Sequence, residues 1–206
     1  MRDFYENHDI RNGDELVLHV YGVGRYQVVP ESLFRRRITD LETDLDRATT
    51  EAGADAAVAG LTTVTNERPE EVAGSEYFRL AAEEPQSRKV KTRDTVSSRE
   101  HIPASLRALL TRLYGGRCQV SGFSFLKRNG EPYFEVHHID PLLGNHVKNV
   151  LVVSPNVHAQ FTYAAVEHTI DEFGWLRGVA FNRASHPVFQ IVDRLPASYN
   201  KGVHSV

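Results

Sequence analysis

A single cysteine, Cys118, rules out an intrachain disulfide and any zinc site assembled from paired thiolates. A metal bound by this chain must take its protein ligands from histidine, asparagine or carboxylate. Long apolar runs are missing as well. None approaches the roughly 20 residues a bilayer-spanning helix needs, and the opening Met-Arg-Asp-Phe-Tyr-Glu-Asn-His lacks the apolar region of a secretory signal. A cytoplasmic protein with no membrane attachment is the expectation. Internal repeats and low-complexity segments are also absent. What is there, 206 residues with 41% hydrophobic and 25% charged composition, suits a globular chain with one substantial core or two small ones.

The net charge of -3 conceals an asymmetry. Residues 1–86 hold 9 Lys and Arg against 18 Asp and Glu, a balance of -9, whereas residues 87–206 hold 15 against 9, a balance of +6. Only the second part is electrostatically suited to phosphate. Pro85-Gln-Ser, followed by the basic Arg88-Lys-Val-Lys-Thr-Arg93, combines a helix breaker, polar residues and the change of sign. The expected organisation is an acidic α+β module over 1–86, a basic linker over 87–102 and a second domain over 103–206.

In the first module, Glu15-Leu-Val-Leu-His-Val-Tyr21 and Arg25-Tyr-Gln-Val-Val29 flank Gly22-Val-Gly24 and read as a hairpin. Leu33, Phe34, Ile38, Leu41 and Leu45 recur at helical spacing behind Pro30 and predict a helix. Leu61-Thr-Thr-Val-Thr65 reads as β-like, and Ser75 to Glu84 as helical. In the second domain, Pro103 to Tyr114 is a helix that buries Leu106, Leu109, Leu110 and Leu113 and stops at Gly115-Gly116. Strand over 132–138, loop over 140–148, strand over 149–153 and a helix from Ser154 follow. The tail adds a hairpin around Gly174 and Gly178, a strand at 178–181 and another at 187–192. Phe123, Phe125 and Trp175 are expected in the core.

Chemistry concentrates in residues 135–158, where two adjacent histidines, an asparagine and a third histidine share one short supersecondary unit. Neighbouring residues on an extended segment face opposite ways. His137 and His138 therefore divide their labour, one toward a metal and the other toward a proton.

Three words in order, Tyr114-Gly-Gly-Arg-Cys-Gln-Val-Ser-Gly122, Asn129-Gly-Glu-Pro-Tyr-Phe-Glu-Val-His-His-Ile-Asp-Pro-Leu142 and Lys148-Asn-Val-Leu-Val-Val-Ser-Pro-Asn-Val-His158, resemble the HNH nuclease family over residues 103–166. The resemblance implies a ββα-metal domain, here with extra strands and preceded by the small α+β domain. It makes His137 and His158 ligands of one divalent ion, Mg2+ or Mn2+ first, with Zn2+ or Ni2+ as alternatives. It makes His138 the general base, an imidazole whose ordinary pKa lies near operating pH, and Asn149 the brace of the loop that carries it. Glu135, on the face of His137, is either a carboxylate that fixes a ligating histidine's tautomer or an exposed strand residue. Asp140 is either an alternative ligand or a turn residue, with the turn favoured; His146 is given no role, though it lies in the loop near the ion within reach of phosphate; Lys127, Arg128 and Lys148 read equally as cations flanking DNA or as ordinary surface charge.

Many relatives hold a structural zinc with two Cys-x-x-Cys pairs. The matching positions here are Cys118 with Ser121 and Ser154 with Val157, so no structural zinc is expected and packing must replace it. The implied activity is metal-dependent hydrolysis of phosphodiester bonds in DNA, double-stranded by preference, in restriction or phage defence. The alternative is a non-catalytic nucleic-acid-binding scaffold. One motif per chain supplies one centre, so cutting both strands takes either two sequential nicks or a homodimer, and the acidic module is read as serving target recognition or dimerisation.

Overall fold

The structure is a computed structural model that describes residues 6–7, 10–11, 13–86 and 102–195. The fold is mixed α+β and divides into two compact units, Met1–Val72 and Ala73–Val206. All but Ile102 of the expected linker lies outside the described residues, as does His101.

The first unit opens on the expected hairpin, β1 (Leu16–Gly22) paired antiparallel with β2 (Arg25–Pro30). Gly24, at φ +73°, supplies the left-handed residue its turn requires. Helix α1 (Glu31–Arg47) follows directly and packs against α2 (Glu51–Thr65). Gly60 makes that approach close, because a Cβ there would lie 2.6 Å from Leu41 Cδ2. The β-like reading of Leu61 to Thr65 is overturned, since these residues form the last turns of α2. Ala54, Ala57, Val58 and Leu61 make a buried helical stripe, and Thr62, Thr63 and Thr65 each donate a hydroxyl to the carbonyl four residues back. Those bonds satisfy the threonines inside a helix whose apolar face is already buried.

The division between the units falls within α3 (Pro69–Ala82), well before the expected boundary at residue 86. Tyr77 and Ala81 belong to the core of the second unit, where the Tyr77 ring stacks on Trp175 at 5.9 Å. The charge pattern reported surface; it carried no information about where α3 buries its apolar face.

The second unit continues with α4 (Ala104–Tyr114), ended by Gly115 in the left-handed conformation. Leu106, Leu109 and Leu110 are buried as expected, with Ala108 and Tyr114, while Leu113 is half-buried. The expected single strand over 132–138 is two. A short hairpin joins β3 (Phe125–Leu126) to β4 (Pro132–Tyr133), Phe134 turns into the core, and β5 (Glu135–His138) then pairs antiparallel with β6 (Val150–Val153). Helix α5 (Pro155–Tyr163) follows, and β7 (Val166–Ile170), β8 (Leu176–Phe181) and β9 (Ala184–Pro187) complete an antiparallel meander. The strand expected over 187–192 is only the end of β9 followed by a 3-10 turn at Ile191–Asp193. Asn182 and Arg183, both at positive φ, make a tight two-residue turn that starts β9 earlier than the apolar pattern suggests.

β6 is buried on both faces and separates two apolar clusters. Val150 and Val152 join Tyr77, Leu106, Leu110 and Trp175, whereas Leu151 and Val153 join Cys118, Val157, Leu176 and Phe181. Strand alternation thus makes one segment the wall of two cores. Cys118 Sγ accepts from the Ser121 amide at 3.4 Å, Ser154 caps α5 at the Val157 amide, and Val157 fills the same cluster as Cys118. Packing and capping employ all four positions. Among the described residues, no helix is long and apolar enough to cross a membrane.

Candidate functional site

β5 presents the candidate residues because β6 fixes its register: Glu135 opposes Val153, His137 opposes Leu151 and His138 opposes Val150. Helix α5 starts one residue after β6, with Pro155 in its first turn, and returns against β5. This short connection brings His158 to His137. Their ring centroids lie 5.5 Å apart in an edge-on arrangement at 67°.

Glu135 contacts His158 rather than His137. Its Oε2 accepts from Nδ1 of His158, and its Oε1 accepts from the Tyr133 hydroxyl at 3.2 Å. Both carboxylate oxygens are occupied, and the bond at Nδ1 leaves Nε2 of His158 as the nitrogen with a lone pair. His137 is clamped differently, stacked on Phe161 with centroids 3.9 Å apart and planes at 17°. Phe161 lies three residues after His158, on the same helix face. Burial pushes the His137 imidazole down to about 4, with His158, His138 and His168 adding to the effect. His137 is therefore neutral at pH 7, the state in which imidazole binds a metal.

His138 takes the other face of β5, and its Nε2 meets Asn145 Oδ1 at 2.9 Å. The amide oxygen accepts Nε2–H, which leaves the lone pair on Nδ1. Asn149 is buried and fully used: its Oδ1 accepts from the Asp140 amide, and its Nδ2 donates to the carbonyls of Asp140 and Gly144, all at 2.8 Å. One side chain thus closes the loop between the two strands. Asp140 is a turn residue, its Oδ1 accepting from the Leu142 amide.

His146 has both ring nitrogens engaged within the protein. Its Nδ1 accepts from the Lys148 amide and its Nε2 donates to the Glu83 carbonyl at 3.0 Å, tying the loop to the end of α3. Lys148 lies over the Trp175 ring, Lys127 pairs with Glu131, and Arg128 lies at the β3–β4 turn.

Two imidazoles that share an ion, each with its nitrogen about 2.1 Å from it, have ring centres roughly 5 to 6 Å apart. The His137 and His158 pair meets that condition. Among the described residues no group of three or more His, Cys, Asp or Glu side chains is arranged to hold an ion, so the chain offers a pair.

Three contributors escaped sequence reasoning. Tyr133 stands two residues before Glu135, and Phe161 three after His158, so same-face spacing held a signal for both. Asn145 lies in an irregular loop, where no periodicity points to it. Comparison of the chain with protein-family models, curated proteins and solved structures gives no match.

Proposed function

We propose that this protein is a metal-dependent DNA endonuclease of the HNH type, with the β5–β6–α5 unit as its ββα-metal centre. The observation that carries this reading is the meeting of His137 and His158 from separate elements, with a carboxylate on one ring and His138 on the opposite strand face. His137 and His158 would hold one divalent ion, Mg2+ or Mn2+ first, which when bound supplies Lewis-acid stabilisation of the phosphate and the leaving 3′ oxygen. Glu135 keeps His158 in the tautomer that offers Nε2, and Phe161 keeps His137 flat and neutral. His138, held through Nε2 by Asn145, takes the proton of the attacking water at Nδ1. Asn149 fixes the loop on which Asn145 stands.

The wider setting belongs to the same proposal. The cytoplasm is kept as the proposed setting, and the resemblance of the Glu-Val-His-His-Ile-Asp-Pro-Leu segment points to restriction or phage defence. A homodimer would supply two centres for a palindromic duplex. The test incubates purified protein with modified and unmodified supercoiled plasmids in Mg2+ or Mn2+, with EDTA controls, beside His138→Ala and His158→Ala. Metal-dependent nicking or linearisation lost in both variants supports the nuclease. Equal inactivity of all three proteins, with DNA binding retained, favours a non-catalytic scaffold.

A further inference from the structure

The β3–β4 hairpin carries aromatic rings that the core does not use. Phe123 is 55% exposed and Phe125 43%, against the expectation that both are buried. Phe123 and Phe125 lie 6.0 Å apart, and Phe125 stacks on Tyr133 at 5.1 Å with planes at 29°. The ladder follows from register, since Phe125 and Tyr133 are direct cross-strand partners. Its inner end is Tyr133, whose hydroxyl donates to Glu135, the carboxylate bonded to His158. A row of rings thus runs from solvent to one residue short of the histidine pair.

We propose that Phe123, Phe125 and Tyr133 form a stacking platform for unpaired nucleotides, making a DNA strand with unstacked bases the preferred ligand beside the candidate centre. Its placement beside a cutting site rests on the nuclease reading above; the binding surface itself does not. Every base has a π-face, so an aromatic row serves single strands without reading their sequence. Charge favours this occupant over an apolar protein surface. Arg117 precedes the row and donates to the Gly122 carbonyl, while the exposed Arg128 and Lys127, the latter paired with Glu131, lie at the hairpin turn. The hairpin lies within residues 87–206, whose balance is +6. Rings with cations beside them match bases with phosphates beside them.

The experiment titrates full-length protein into a fluorescein-labelled 12-nucleotide single strand, and separately into its duplex, following anisotropy in EDTA so that nothing is cut. Phe123→Ala and Phe125→Ala are each expected to weaken single-strand binding about 5- to 100-fold, and duplex binding much less. Phe125→Trp should retain it, and the salt dependence should keep its slope because no cation is removed. Thermal melting of the variants checks folding, which substitution of exposed rings should leave intact. Single-strand affinity equal in wild type and both alanine variants overturns the platform. A changed oligomeric state in sedimentation, with affinity unaltered, also overturns it and makes the row a contact between copies. Plasmid cleavage measured separately keeps the readings apart: His138-dependent cutting with ring-independent binding removes the platform alone, and ring-dependent binding without cutting removes the nuclease alone.

Discussion

Glu135 and His158 are joined carboxylate to imidazole across the junction between a strand and a helix, at the nitrogen that leaves Nε2 of the histidine available. Two residues of strand alternation and one turn of α5 produce this contact. It couples the position of the helix to the charge of the strand.

Replacing that charge should weaken the site without emptying it. Glu135→Gln is expected to raise the half-saturating metal concentration for cleavage about 10- to 100-fold, with activity restored as metal is increased. An unchanged metal dependence would remove Glu135 from the site.

Asn145 acts through His138. Asn145→Ala frees the imidazole to rotate and change tautomer, so kcat is expected to fall about 10-fold or more, part of the 100- to 10,000-fold that a positioned base contributes. DNA affinity should stay put. Loss of affinity with kcat intact would mean that Asn145 contacts the substrate.

Asn149 is a structural clamp on the loop that carries Asn145. Asn149→Ala removes three hydrogen bonds, two to part-buried backbone groups of Asp140 and one to the buried Gly144 carbonyl. A loss of about 2 to 4 kcal/mol is expected, measurable by urea denaturation. A variant as stable as wild type would show that water replaces the amide.

The half-buried His137 gives stability a defined pH dependence. Unfolded, it takes a proton near its ordinary 6.5; folded, only near about 4. Between these values the unfolded chain binds the extra proton, so this contribution falls as pH drops from 6.5 toward 4 and is complete above that window. Denaturation of wild type and His137→Gln across pH 4 to 7.5, without metal, should give curves that converge toward the acid end. Parallel curves would contradict the burial.

Tyr77 tests the position of the unit boundary. Its ring stacks on Trp175 and lies edge-on to Tyr114, so Tyr77→Ala should cost about 3 to 5 kcal/mol, as loss of a buried aromatic does. A chain cut before Ser87 should fold poorly where one begun before Pro69 folds. Equal cooperativity of the two in thermal melts would return the boundary to the change of charge.

The α+β class, the first hairpin, α1 and α4 were legible because glycines, prolines and periodic leucines mark them locally. The strand, loop, strand, helix order was legible too, and it is the order that carries Glu135, His137, His138, Asn149 and His158. What failed depended on neighbours distant in sequence. The threonines at the end of α2 look β-forming until the helix carbonyls are in place to accept their hydroxyls. Phe134 interrupts a continuous β pattern because its ring is buried in the core with Leu106, Leu110, Val150 and Val152. Phe123 and Phe125 look like core residues, since hydrophobicity alone does not say whether a ring has anything to lie against. Asn145 declares itself only once the loop has folded.

Cys118 packs among Leu151, Val153 and Val157, so this part of the unit is held by apolar contact. On the proposed nuclease reading, EDTA would then serve as a reversible switch: the folded molecule would be loaded onto DNA, held there, and started by adding metal. Encounter and bond breaking would become separable steps in a single sample.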